Sequence, residues 1–262
     1  MGPERWLPLL AEIAEKADQI ALRYFRTATL DVLTKSDASP VTIADRSIEE
    51  AARDVLAQGH PGLGIYGEEY GERAGEAGAR LIIDPIDGTR NFVRGIPFFA
   101  TLLAIEEDGE VTAGLVSAPA LGLRWQAARG AGAFCGARRL QVSSIADLGR
   151  GQVFHGDLSG AAEMPPPPGI STLFARAQRT RGFGDFYQHL LVAEGAGEFA
   201  VDPEVKPWDI AALQVIVEEA GGRATALDGR RTIYGGSLAT SNGLVHAEAL
   251  RLLLGGSPRE DA

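Results

Sequence analysis

A single cysteine, Cys135, leaves no partner for an intrachain disulfide and excludes a cysteine-rich zinc site. Set within G-A-F-C-G, it reads as a small apolar filler and not as a reactive thiol. No apolar run reaches the roughly 18 residues that a membrane helix needs, and M-G-P-E-R-W opens the chain without the apolar core of a signal peptide. Neither a membrane span nor secretion is therefore expected, and the cytoplasm is the expected compartment. Positive charge is in the minority: 25 Lys and Arg stand against 35 Asp and Glu, a formal net charge of −10, which argues against nucleic-acid binding through a broad basic surface. No G-x-x-x-x-G-K-[ST] loop occurs, which disfavours an ATP-using kinase. His155, His189 and His246 stand far apart without ligand spacing and read as structural or surface residues.

What is present is an ordinary globular composition, 45% hydrophobic and 23% charged over 262 residues, long enough for one larger domain or two halves sharing a core. One stretch concentrates chemistry: L-I-I-D-P-I-D-G-T-R-N, from Leu81 to Asn91. Leu81, Ile82 and Ile83 predict a short buried strand, and Pro85 extends Asp84 while removing a backbone donor, so the strand should end in a carboxylate. Asp87 follows, with the carbonyl of Ile86 between the two acids, a set of oxygens suited to hard divalent cations. Gly88 permits a tight turn that aims successive backbone N–H groups at one point, and Thr89 adds a hydroxyl, which together suit a phosphate. An isolated Asp-Pro or Asp-Gly pair is more often a surface turn. Here an apolar strand feeds into both in register, which favours a metal-assisted phosphoryl site. Bound divalent cations would also reconcile an acidic chain with an anionic substrate.

Along the chain, Trp6, Leu9, Leu10, Ile13, Ala17, Ile20 and Tyr24 predict an amphipathic helix over Pro3–Phe25. A second helix carries Ile48, Ala51, Ala52, Val55 and Leu56, with Asp45 near its start, where an acid also serves as a cap. Leu63–Tyr66 reads as a strand ending in Gly67-Glu68-Glu69, by itself an exposed loop, and Gly71–Arg80 reads as a mobile loop over the site. Phe98–Ile105 and Val111–Ser117 predict a hairpin, with further strands over Leu123–Ala128 and Gly132–Val142: an antiparallel meander. Periodicity breaks over Ser143–Pro168, where Pro165 to Pro168 read as a stiff connection, so the chain divides into halves 1–142 and 143–262. In the second half a helix carries Phe186, Leu190, Leu191 and Ala193, and Phe199–Val201 is a short strand. Asp209 stands as a helix N-cap before Ile210, Ala211, Leu213, Ile216 and Val217, a helix stopped by Gly221-Gly222.

The segment D-P-I-D-G-T at Asp84–Thr89 resembles the signature of the inositol monophosphatase superfamily of magnesium-dependent, lithium-sensitive phosphatases. Three further blocks stand in the family's order: P-V-T-I-A-D ending at Asp45, G-E-E at Gly67–Glu69, and W-D-I-A-A-L-Q-V-I-V-E-E-A-G-G from Trp208 to Gly222. The resemblance implies an α+β fold, a five-layered α-β-α-β-α sandwich of the inositol monophosphatase and fructose-1,6-bisphosphatase type, and a homodimer. It implies two or three Mg²⁺ held by Glu68, Asp84, the Ile86 carbonyl, Asp87 and Asp209. Thr89, paired with Asp45, and Glu68 would position and deprotonate a water, with Glu69 orienting ligands and waters. Glu68, Ile86, Asp87, Gly88, Thr89 and Asp209 would meet the substrate, a small phosphate monoester. T-R-N-F-V-R-G-I-P-F-F-A-T, R-G-F-G-D-F, L-V-A-E-G and D-P-E-V-K-P-W-D look closer to the histidinol-phosphatase branch. That implies L-histidinol phosphate, with Asp185, Asp202 and Glu204 as partners for its amine and imidazole and Arg181 meeting the phosphate or shaping the pocket. An inositol or broad sugar phosphatase, and a non-catalytic binder of phosphometabolites, are the alternatives.

Overall fold

Residues 2–27, 32–34, 40–76, 78–158 and 166–256 are described by the structure, a computed structural model. Lys35-Ser36-Asp37, Ser39 and Pro165 of the proline run lie outside them. The chain forms two compact units, residues 1–138 and 139–262.

The first unit begins with a 3-10 turn at Pro3–Trp6, which gives way to helix α1, Leu7–Tyr24. Strands β1 (Val32–Thr34) and β2 (Pro40–Thr42) pair antiparallel and lead into helix α2, Ile43–Gly59. There follow β3 (Gly64–Gly67), β4 (Gly71–Arg73), β5 (Ala79–Asp87), the short helix α3 (Thr89–Val93), β6 (Ala100–Glu107), β7 (Glu110–Ala118), β8 (Leu123–Ala128), β9 (Gly132–Cys135) and β10 (Arg138–Arg139). Their sheet runs β10-β9-β8-β7-β6-β5-β3-β4, with β3 parallel to β5 and β5 to β8 antiparallel in sequence, the expected meander. Leu10, Ile13, Ala14 and Ala17 of α1 and Ile48, Ala52, Val55 and Leu56 of α2 are the apolar stripes of period 3.6. They close on one face of the sheet, against Leu81, Ile83, Leu103, Ile105 and Leu115, every second residue of their strands.

Three expectations change here. Strand β5 does not stop at Asp84. Asp84 pairs with Leu102 and Asp87 with Ala100, three steps on one strand against two on the other, so a bulge absorbs the extra residue. Pro85 sits in that bulge, where a missing N–H breaks no ladder bond. The Gly71–Arg80 tract is not simply a loop, because β4 pairs with β3 at the sheet edge. Beyond it Glu76 N–H donates to Gly62 O at 2.8 Å, and Gly75 packs so closely on Gly64 that a Cβ would stand 2.2 Å from the Gly64 nitrogen. Finally, the strand expected over Gly132–Val142 ends at Cys135, where Gly136 takes a left-handed turn.

The second unit contains β11 (Gln152–His155), α4 (Ile170–Arg176), β12 (Arg179–Gly182), α5 (Asp185–Ala193), β13 (Phe199–Asp202), α6 (Pro207–Glu219), β14 (Arg223–Thr225), β15 (Leu238–Ser241) and α7 (His246–Leu253). The sheet order is β12-β11-β13-β15-β14, with β11 parallel to both neighbours. Val153, Phe199, Val201 and Ala239 face Leu173 of α4 and Ala249, Leu252 and Leu253 of α7. Phe154 and Ala200 face the other way, towards Val192 of α5, which packs on α6. Layers therefore number two in the first unit and three in the second. The connection leaving β11 runs to α4 on one face and that leaving β13 runs to α6 on the other, so the C-terminal ends of these two strands flank a topological switch point, where open α/β sheets leave a crevice.

Two of the three histidines read as structural or surface residues, His189 and His246, are buried and hydrogen-bonded. His189 is buried, with Nδ1 at 2.7 Å from Thr240 Oγ1 and Nε2 at 3.0 Å from Asp202 Oδ2. His246, also buried, lies between Thr225 Oγ1 (2.9 Å) and Ser241 Oγ (2.8 Å). Burial, aided by the charge of Arg223, lowers its pKa from 6.5 to about 4. Between those values the unfolded chain takes up a proton that the folded chain refuses, so this contribution is full above 6.5 and fades as pH falls towards 4. Denaturant unfolding of wild type and His246→Gln should show wild type losing on the order of 2–3 kcal/mol relative to the variant over that interval. Parallel pH profiles would refute the buried neutral imidazole.

Candidate active site

Backbone register brings the first acids together. Gly67 of β3 pairs with Ile83 of the parallel strand β5, so Glu68 and Asp84 are the next residues on neighbouring chains, at strand spacing of about 4.8 Å. Asp84 is buried and Asp87 half-buried, and each offers a carboxylate oxygen within 4.8 Å of the other. Between them Ile86 anchors its side chain in the core, while its carbonyl accepts a hydrogen bond from Thr89 Oγ1 at 2.8 Å. Gly88 is left-handed (φ 79°), which a side chain would strain, and it caps α3 directly at Thr89.

Asp45 is the third residue of α2. Thr42 is the N-cap and accepts from Ala44 N–H, while Asp45 Oδ2 takes both the Thr42 N–H (2.8 Å) and the Thr42 hydroxyl (2.5 Å). This is a capping box, and the capping role is real. It also fixes the carboxylate so that Oδ1 lies 3.4 Å from Thr89 Oγ1. The Thr89 hydroxyl has one proton, and the 2.8 Å distance assigns it to Ile86 O. Burial raises the Asp45 pKa to about 6; the Thr42 bonds oppose that rise, and Glu69 and Glu68 add repulsion to it. A cation fits this corner on chemical grounds: the donors are all oxygens, from carboxylates and one carbonyl, and the anions already repel one another.

The remaining expected residues belong to the second unit. Asp209 is not the N-cap of α6 but its third residue, because Lys206 is the N-cap and Pro207 opens the helix. Its Oδ2 accepts the Lys206 N–H at 2.7 Å, the same device that Asp45 uses. Arg181 is exposed on β12, and its Nη1 donates to Thr180 O at 3.1 Å. Asp185 opens α5 with φ +51°, directly after Gly184 at φ +71°. Glu204 is half-buried between β13 and α6. These four residues lie on or just beyond the C-terminal ends of β12 and β13, the strands that flank β11. Asp202, the last residue of β13, accepts from Gln188 Nε2 (2.5 Å) through Oδ2, which also stands 3.0 Å from His189 Nε2 and so ties α5 to β13.

Sequence reasoning passed over Glu49. It is fully buried on α2 and accepts from the Glu69 N–H at 2.8 Å, directly behind Glu68. Its only signal in the sequence is its place one helical turn beyond Asp45.

The family model described as inositol monophosphatase family matches residues 3–255. A histidinol-phosphatase of Mycobacterium tuberculosis is 46% identical over 95% of this chain and 98% of its own. An inositol-1-monophosphatase of Mesorhizobium japonicum is 31% identical over 96% and 97%. The solved structure of the extragenic suppressor protein suhB of Bartonella henselae superposes with a TM-score of 0.85 at 32% identity, covering 96% of this chain and 99% of that one.

Asp45 yields a test independent of turnover. A carboxyl whose folded pKa is raised from 3.8 to about 6 loses stability as pH climbs through that range, so above neutrality its charge destabilises the metal-free chain. Asparagine keeps an acceptor for the Thr42 bonds. In EDTA above neutral pH, Asp45→Asn should therefore melt higher than wild type by the equivalent of about 1–3 kcal/mol, and the gap should vanish in acid. A variant that melts lower across the whole range would contradict the raised pKa.

Proposed function

Since the chain belongs to the inositol monophosphatase family, we propose that this phosphoric monoester hydrolase is a magnesium-dependent L-histidinol-phosphate phosphatase. The metal chemistry is supported by the carboxylate oxygens that Asp84 and Asp87 bring together at the end of β5 and by the register that sets Glu68 level with Asp84. Glu68, Asp84, the Ile86 carbonyl, Asp87 and Asp209 would hold two or three Mg²⁺. When bound, the metal neutralises phosphoryl charge and acidifies a water.

The chain's own residues do the rest. Glu68 and Thr89, with Asp45 Oδ1 3.4 Å from the Thr89 hydroxyl, would position a water, and a carboxylate of this set would receive its proton. A carboxyl near pKa 6 is well matched to proton transfer close to neutrality. Backbone N–H groups of Gly88 and Thr89 hold phosphate oxygens as negative charge grows on them. On the leaving-group side, the carboxylates of Asp185 and Glu204 suit the ammonium and imidazole of histidinol, and Arg181 supplies a cation for phosphate or for the pocket wall. The choice of histidinol phosphate rests on one observation: identity is 46% to the histidinol-phosphatase against 31% to the inositol-1-monophosphatase. That second relative keeps hydrolysis of inositol or sugar phosphates as the other reading. We further infer a cytoplasmic homodimer.

Turnover of L-histidinol phosphate and of inositol 1-phosphate, each with Mg²⁺ and with EDTA, separates these readings. Preference for the histidinol ester, lost in EDTA, is expected. Preference for the inositol ester moves the chain to the second reading, and hydrolysis that survives EDTA sinks the metal mechanism. Asp84→Asn should stay folded yet lose activity by more than about 100-fold, beyond what loss of an outer-sphere partner costs.

A further inference from the structure

Asp45, Glu49 and Arg53 recur every four residues and so form one column along α2. Asp45 faces Thr89 at the head of that column. Glu49, one turn on, has no exposed surface, and its carboxylate is saturated by donors. Oε2 accepts the Glu69 N–H at 2.8 Å, while Oε1 accepts the Tyr70 N–H at 3.2 Å and Arg53 Nε and Nη2 at 3.1 and 2.7 Å. Arg53 then reaches past it: Nη2 donates to Gly71 O at 2.8 Å, and the guanidinium stands 5.6 Å from the centre of the Tyr70 ring. Gly67 makes room for the carboxylate, since a Cβ there would lie 2.2 Å from Glu49 Oε1.

Every residue around Glu68 is thus fastened. Gly67 packs on the Glu49 carboxylate, Glu69 and Tyr70 donate to it, and Gly71 is tied through Arg53. Glu68 stands in the middle of that turn, level with Asp84 on the next strand. A buried carboxylate tolerates its location only with such charge-assisted bonds, and they hold it rigidly in return. With Asp45 on the same column, α2 sets the spacing between the Glu68 turn and the Thr89 turn.

We propose that Glu49, braced by Arg53, is the positioning residue of the divalent-cation site: it clamps the Gly67–Gly71 turn so that Glu68 is presented beside Asp84. Glu49 is not itself a ligand, because backbone and guanidinium N–H groups take both of its oxygens. The inference rests on the metal reading above.

The test is titration of the full chain with Mn²⁺, followed by the EPR signal of the free ion, with circular dichroism as the check on folding. Wild type should retain Mn²⁺. Glu49→Gln keeps the shape but loses the charge, and should bind it about 10- to 100-fold more weakly, with a matching rise in the metal concentration needed for half-maximal hydrolysis. KM for the ester at saturating metal should move far less. Arg53→Lys, at a partly exposed position, should shift metal affinity the same way by less, and decides the matter if Glu49→Gln does not fold. Folded variants that bind Mn²⁺ as tightly as wild type would overturn the positioning role while leaving the metal reading intact. A wild type that retains no Mn²⁺ would overturn the metal reading itself, and this inference with it.

Discussion

Like charges held close together inside a protein are the constraint that the first unit is built around. Asp45 and Asp84 are buried, Glu68 and Asp87 half-buried, and Glu49 lies fully inside behind them. Each would be costly there alone, since desolvation of an anion amounts to several kcal/mol even after relaxation. The fold answers chiefly with backbone N–H groups, joined by one basic side chain: the Thr42 amide meets Asp45, and the Glu69 and Tyr70 amides together with the Arg53 guanidinium meet Glu49. The repulsion that remains is what a divalent cation would relieve, so the same feature that strains the metal-free chain favours the loaded one.

The backbone devices are local and recur. Asp45 and Asp209 both stand at the third position of a helix, and each accepts the N–H of the N-cap residue through one oxygen. That bond fixes the rotamer, and a fixed carboxylate directs its second oxygen as well. A carboxylate held by such a cap is organised before any ligand arrives, which spares ordering entropy on binding. It also explains why a capping reading and a catalytic reading of the same aspartate do not compete.

Much of the first unit was legible in the sequence because its signals are local. The stripes of α1 and α2 follow the helical period, the meander follows turn residues, and D-P-I-D-G-T carries its own turn chemistry. The bulge at Pro85 was not legible. Asp84 and Asp87 flank one extra residue only because β6 offers Leu102 and Ala100 as their partners, and a pairing partner leaves no trace in the strand itself. Glu49 stayed hidden for a similar reason, since a glutamate on a helix reads as a solvated face until tertiary structure buries it. In the second unit β11 and β12 are four-residue parallel strands whose partners lie far along the chain, and the sequence-based reading missed them together with α4, α7, β14 and β15.

Once β11 is placed, the second unit supplies what composition alone did not. Parallel neighbours on both sides, with crossovers on opposite faces, put a crevice at the strand ends, and Asp185 and Glu204 lie on the connections that leave that edge. Asp185 adopts a left-handed conformation that ordinary residues avoid, and strain of order 1–3 kcal/mol persists only where the surroundings impose it. Asp202, the last residue of β13, shows the contrast. Its Oδ2 is held by Gln188 and His189, which gives β13 and α5 a fixed spacing. One oxygen of Asp45 and one of Asp202 are thus spent on the scaffold, while the second oxygen stands near Thr89 in the first case and near Gly156 in the other.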